Sequence, residues 1–166
     1  MNLWFRFFLY LLSLRRRPKL GALETSVLHF HVMPNDLDVN LHVNNGRYLT
    51  LMDLGRLDLI VCNGMSREVL KRGWRPVLGA AYINYRRELN LFKKFRLETR
   101  ILGWEGRWFY IGQQFFRGDD LVADAVVKAL FVDKNGSLES PTVMEVAGFS
   151  GPSPELDPKL LARFAR

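Results

Sequence analysis

Apolar side chains crowd the start of the chain and a basic run follows at once: Leu3-Trp4-Phe5-Arg6-Phe7-Phe8-Leu9-Tyr10-Leu11-Leu12-Ser13-Leu14, then Arg15-Arg16-Arg17-Pro18-Lys19. The apolar stretch is shorter than the roughly 20 residues that a membrane-crossing helix needs, and Arg6 interrupts it. Its charges come after the apolar part, and no small-residue cleavage site is visible, which argues against a signal peptide. Two readings stand side by side. The segment lies in a membrane interface or is a cytoplasmically oriented anchor, with its basic residues against anionic head groups, or it caps an apolar surface of the same protein or of a partner subunit.

Beyond Pro18 and Gly21 the pattern changes. From Leu23 to Val32 the strand-preferring residues Thr25, Val27, Phe30 and Val32 predict a strand, which Pro34-Asn35-Asp36 breaks. From Arg47 to about Val61, the apolar Tyr48, Leu51, Met52, Leu54, Leu57, Leu59 and Ile60 mostly recur three or four apart. That spacing predicts a helix of about four turns, with Asn44 or Asn45 as its N-cap. A short helix from Ser66 to Lys71 should stop at Gly73. Four strand-like stretches come next, Pro76 to Arg87, Phe95 to Trp104, Arg107 to Phe116 and Leu121 to Val132. Glu105-Gly106 and Gly118-Asp119-Asp120 mark turns between them, and Asn135-Gly136 closes the last strand. Gly148 to Pro154 reads as a loop and Leu156 to Arg166 as a short terminal helix.

One strand, one long helix and four antiparallel strands define an α+β arrangement in the order of the hot-dog fold, a sheet wrapped round a helix. The long helix is apolar on most of its circumference, which suits burial inside a curled sheet. The expected division is an apolar and basic N-terminal segment over residues 1–20, a hot-dog domain over 21–148, and a tail over 149–166.

At 166 residues the chain suffices for one full core but not two. Cys62 is the single cysteine, so an internal disulfide framework and a Cys-rich metal site are excluded. A reducing, cytoplasmic compartment fits that usage. The net charge of +7 admits an anionic membrane surface, a phosphorylated ligand or nucleic acid as partner. Nucleic acid is disfavoured, because the basic residues scatter through strand-like segments and no recognised nucleic-acid-binding pattern is present.

Candidate chemistry concentrates between Asp36 and Tyr48. Asp38, Asn40 and His42 lie at alternate positions and would project to one side of an extended stretch. The helix that follows supplies unpaired N–H groups and a partial positive charge. A carboxylate to attack or to activate water, with donors for a developing oxyanion, is what thioester hydrolysis requires. Turn hydrogen bonds from Asp38 and Asn40, with Asn44 and Asn45 capping the helix, would explain the same residues.

The run Asp36-Leu37-Asp38-Val39-Asn40, then His42-Val43-Asn44-Asn45 and Tyr48, resembles the signature of plant acyl-carrier-protein thioesterases. It is also similar to the D-x-x-G-H-x-N-N-x-x-Y pattern of bacterial acyl-CoA thioesterases of the 4-hydroxybenzoyl-CoA type. Downstream, Tyr85-Arg86-Arg87-Glu88 resembles the Y-R-R-E of the plant enzymes, and Leu102-Gly103-Trp104 is similar to a single-domain group of thioesterase-superfamily proteins.

The resemblance implies a hydrolase of fatty acyl thioesters on coenzyme A or an acyl carrier protein, with no cofactor and no metal. It implies Asp38 as the essential carboxylate, Asn40 and His42 as polarising groups, and Glu88 as a second carboxylate acting as general base. The backbone N–H of Asn45 would stabilise the oxyanion, with Asn44 and Tyr48 supporting the loop and helix. Arg86, Arg87, Lys93 and Lys94 could meet substrate phosphates.

Three departures stand out. The plant enzymes join two hot-dog halves and this chain holds one, so its site is expected between subunits of a homodimer or of a dimer of dimers. Leu89 stands where those enzymes have Cys, and Leu41 where the bacterial pattern has Gly. Two other functions compete. A hot-dog hydratase would need Asp and His five apart with a proline between, whereas Asp38 and His42 are four apart. A membrane-associated acyl or lipid binder would use the fold without its chemistry.

Overall fold

The computed structural model of the protein describes residues 2–165, with their side chains except those of Asn2, Leu3 and Arg15. Period-two burial builds its sheet. In β3 (Lys94–Glu105), Phe95, Leu97, Thr99 and Ile101 are buried, whereas Arg96, Glu98 and Arg100 between them are not. The other strands are β1 (Ser26–His31), β2 (Arg75–Tyr85), β4 (Trp108–Arg117) and β5 (Asp120–Asp133). They pair antiparallel throughout in the order β1-β3-β4-β5-β2. Asn135-Gly136 does not end the sheet: β6 (Gly136–Ser137) folds back along the end of β5.

The long periodic stretch forms α2 (Asn45–Cys62), which lies against β1 and β3. Tyr48, Leu51 and Met52 enter one core with Leu89, Phe95, Leu97 and Phe115. Gly55 explains how closely helix and sheet meet. A Cβ built there would sit 2.5 Å from Thr99 Oγ1, 2.8 Å from Leu97 Cδ2 and 2.9 Å from Gln113 Nε2. Beneath it the buried Gln113 donates to Met52 O at 3.0 Å and to Thr99 Oγ1 at 3.1 Å, while Arg56 donates to Gln113 Oε1 at 2.8 Å. A buried amide left unpaired would be costly, so this network ties the helix to the sheet at one height.

The short α3 spans Ser66–Lys71 as its sequence predicts. After β6, α4 (Ser140–Val146) had no clear sequence signal; it buries Val143 and Met144 against Trp104, Phe109 and Phe131. The terminal helix is shorter than its pattern suggested, α5 (Pro158–Ala162), and Arg166 lies outside the described residues.

The apolar N-terminal run forms α1 (Asn2–Ser13), and one face of it packs on the domain. Tyr10 is buried with Leu28 and Leu54, with Phe7 and Leu14 beside them. Its charge is turned inward: Arg6 is buried in an ion pair with Asp36 and donates to His31 O at 2.9 Å. Just past the helix, Arg17 donates to Val27 O at 2.8 Å and to Asp58 Oδ1 at 2.7 Å, and Ser26 also donates to the fully buried Asp58. Arg6 and Arg17 thereby cap carbonyls along β1, one edge of the sheet. The opposite edge, β2, is exposed from Arg75 to Tyr82.

Gly55→Ala should lower stability by about 1–3 kcal/mol despite the better helix propensity of alanine, because its methyl overlaps Thr99 and Gln113. Urea denaturation reads this directly; a stabilised variant would show that α2 can lift from the sheet without cost.

Candidate active site

The segment before α2 is not the extended stretch that alternation suggested. Leu37 and Val43 pair antiparallel, Asp38 N–H donates to His42 O at 3.0 Å, and Leu41 N–H donates to Asp38 O at 3.1 Å. This is a tight hairpin whose turn runs through Val39 and Asn40, with Leu41 at φ 62°. The hairpin still brings Asp38 and His42 to one side, whereas Asn40 occupies the turn. Asp38 and His42 face each other across the hairpin, with Asp38 Oδ2 3.5 Å from His42 Nδ1. Asn40 is at the exposed tip and contributes its backbone, donating to Asp38 Oδ1 at 2.9 Å. The carboxylate is oriented from two sides yet its side chain keeps 21 % of its surface open.

The other aspartate of the motif has a different environment. Asp36 is 1 % exposed, pairs with Arg6 and with Arg47 Nε at 3.3 Å, and accepts from Met33 N–H at 2.8 Å. Its backbone carbonyl accepts from Asn44 N–H at 2.8 Å, joining the hairpin to the start of α2. Residue type alone does not separate Asp36 from Asp38. The arginines that reach one and not the other do.

At the helix start, Asn44 is the N-cap. Its side-chain oxygen accepts from Gly46 N–H at 2.9 Å and its carbonyl accepts from Arg47 N–H at 2.8 Å. That leaves the Asn45 N–H without an acceptor among the described residues, at the positive end of an 18-residue helix. Tyr85, the first residue of the second motif, donates to Asn45 O at 3.1 Å and packs its ring against Tyr48 at 5.2 Å. Burial, and then the neighbouring Tyr85, push the Tyr48 phenol up to about 12, so it stays neutral.

The remaining residues of that motif run beside the hairpin. Val43 N–H donates to Leu89 O at 2.9 Å, and His42 bridges to Asn90. Glu88 is exposed next to the fully buried Leu89. Arg47 pairs with Asp36 and Arg86 with Asp124, so neither is engaged with Glu88. Arg87 pairs with Asp120 at 3.5 Å, and Lys93 and Lys94 are exposed. Ion pairs this exposed are weak, so Arg86 and Arg87 can exchange partners at little cost. Cys62 is buried, and desolvation followed by the Asp58 charge raises its thiol, which makes it a poor nucleophile.

An apolar cavity of about 290 Å³ lies between α2 and β2, lined by Leu57, Ile60, Val77, Leu78, Ile111 and Leu130, with Asp53 and Arg56 also at its wall. Its mostly apolar lining suits an apolar chain.

The sequence model of the thioesterase-like superfamily matches residues 32–164, and the chain belongs to that family. It is 30% identical over 128 residues to the thioesterase lcsJ of Purpureocillium lilacinum, a match covering 60% of this chain and 41% of that protein. It is 35% identical over 96 residues to the protein THEM6 of Xenopus laevis, covering 58% of this chain and 46% of that one. The chain thus spans under half the length of these two relatives. Among solved structures, SAV2348 of Staphylococcus aureus, determined in complex with CoA, superposes with a TM-score of 0.68. It is 14% identical, with 86% of this chain and 95% of that one covered. That likeness establishes the hot-dog-like fold.

Leu41 holds a left-handed backbone with its side chain 72% exposed, so it gains little packing in return for the strain. Leu41→Gly should keep the hairpin and raise stability by up to about 1 kcal/mol, relief of strain exceeding the added chain entropy. Thermal unfolding checks it; a loss of stability would mean that the leucine side chain holds the turn.

Proposed function

We infer that this chain hydrolyses fatty acyl thioesters, with coenzyme A as the favoured carrier and an acyl carrier protein as the alternative. Membership of the thioesterase-like superfamily supports the reaction class. The observation that carries the reading is an oriented, accessible Asp38 carboxylate two hairpin rungs from a helix start whose Asn45 N–H lacks an acceptor. The carrier preference rests on the CoA complex of the structural relative and on the exposed Arg86, Arg87 and Lys93 beside the site.

Two routes use the same groups. In one, an Asp38 oxygen attacks the thioester carbon, and the oxyanion forms against the Asn45 N–H. Collapse expels the thiolate and leaves a mixed anhydride, which water splits to the acid and free Asp38. In the other, the carboxylate takes a proton from water as its oxygen attacks, and the thiolate leaves with that proton. His42, opposite Asp38, orients the carboxylate or the water, and Glu88 can accept the proton of the hydrolytic water. The tip position of Asn40 leaves it a backbone role at Asp38, with its side chain free to meet substrate. The apolar cavity beside α2 suits the acyl chain.

The open β2 edge supports assembly as a homodimer. Val77, Leu78 and Tyr82 are exposed large apolar residues on a strand that, among the described residues, has no neighbouring strand on its outer side. Replacing Val77 and Leu78 by Lys should shift sedimentation toward the monomer; an unchanged assembly would place the contact elsewhere.

Asp38→Ala should lower turnover of long-chain acyl-CoA by about 10²–10⁴-fold with little change in melting temperature. Equal thiol release by wild type and variant would remove Asp38 from the reaction, and no thiol release by wild type would favour a binder. Label in Asp38 after a single turnover in H₂¹⁸O marks direct attack, since it enters only when water splits the anhydride at the aspartyl carbonyl.

A further inference from the structure

The outward face of α1 is the largest unpartnered apolar feature that the N-terminal half presents. Trp4, Phe5, Phe8, Leu9, Leu11 and Leu12 are all exposed large apolar residues, with Trp4 at 76% and Leu12 at 65%. At about 100° per residue these six fall within an arc of roughly 160°. The opposite arc holds Arg6, Phe7 and Tyr10, which pack onto the domain.

The polarity of the helix is therefore reversed from that of an ordinary surface helix. Its charged side chain points inward to a buried carboxylate, and its apolar side points outward. A loosely attached segment would turn such a face inward. Here the Arg6–Asp36 and Arg17–Asp58 pairs, both with a buried carboxylate, hold it outward. Isolated apolar residues on a surface need no explanation, but a continuous stripe of six does.

The surroundings of the stripe are basic. Arg16 and Lys19 are exposed directly after the helix. A groove between α1 and β1 is bordered by Phe5 and Leu9 on one side and by His29 and His31 on the other. Lys94 is the register partner of His31. No helix among the described residues is long and apolar enough to cross a membrane, and α1, at 12 residues, is only about 18 Å long.

We propose that the exposed face of α1 is a docking surface for an anionic lipid bilayer, on which the helix lies flat with Trp4, Phe8 and Leu12 in the acyl boundary. Arg16 and Lys19 meet the phosphates of the head groups. A short aromatic and aliphatic face beside basic residues matches the two layers of a lipid surface, apolar below and anionic above. The rigid attachment of α1 to the domain means that the whole protein, not a tether, is oriented on the membrane. This surface does not depend on the hydrolytic chemistry, and its test reads binding and not turnover.

The 166-residue chain should cosediment with vesicles containing phosphatidylglycerol and far less with pure phosphatidylcholine. Phe8→Ser combined with Leu12→Ser should weaken that partition by roughly 100-fold. Arg16→Glu combined with Lys19→Glu should weaken it by at least roughly 25-fold on anionic vesicles only. Brominated phosphatidylglycerol should quench a larger fraction of the tryptophan fluorescence in wild type than in Trp4→Phe, which decides the matter on native protein even if a double variant misfolds. Absence of vesicle binding by wild type, equal binding by the Phe8/Leu12 variant, or equal quenching in Trp4→Phe would each overturn the proposal. So would a wild-type assembly that ignores vesicles and dissociates when Phe8 and Leu12 are replaced, since the occupant would then be a second copy of this chain.

Discussion

A buried carboxylate demands partners, and Asp36 takes them from every direction that matters to the site. Arg6 reaches it from α1, Arg47 from the first turn of α2, and Met33 N–H from the preceding turn. Its carbonyl holds Asn44. Removing one partner would leave charge stranded in a water-poor place, a cost of several kcal/mol in comparable settings. The hairpin that carries Asp38 hangs from this node, so the orientation of that loop is tied to the N-terminal helix and to the start of α2 at once.

A second constraint sets the height of α2 above the sheet. Gly55 removes the one Cβ that would hold the helix off Thr99 and Gln113, and the Gln113 amide then reaches the Met52 carbonyl. The glycine weakens the helix intrinsically, and close packing offsets that loss. Because the helix start is where Asn45 presents its N–H, the depth at which α2 beds into the sheet also sets where an oxyanion could be held. The packing near the middle of the helix and the N–H at its start belong to one rigid element.

The two sheet edges are handled in opposite ways. At β1, Arg6 and Arg17 occupy backbone carbonyls and Tyr10 of α1 packs on Leu28. At β2 the edge stays open and apolar. Such an edge invites another strand. The same arginines that close β1 also turn the aromatic side of α1 to the outside, so edge protection and the exposed apolar stripe have a common cause.

Local pattern was enough to locate most elements. Strand-like stretches bounded by turn residues marked the four long strands, period-3.6 spacing marked α2, and the asparagines before it marked the cap, since these signals arise between near neighbours in the chain. α4 escaped notice because its seven residues are too few for a periodic signal and its burial depends on Trp104 and Phe109, far off in the chain.

In the candidate site, residue types and their order were legible: an acidic and amide-rich loop ahead of a helix, and a second motif some forty residues on. Their roles were not. Whether Asp36 or Asp38 is the open carboxylate depends on Arg6 and Arg47. Whether Asn40 points with Asp38 depends on a left-handed Leu41, and whether Glu88 lies near His42 depends on a strand pairing through Leu89 and Asn90. By itself the sequence determined the succession of elements and the chemical vocabulary of the loop, because propensity and periodicity act between near neighbours. Only the tertiary structure decided which of two like side chains is buried and which faces of α1 and β2 stay bare, because burial and charge pairing join residues distant in the chain.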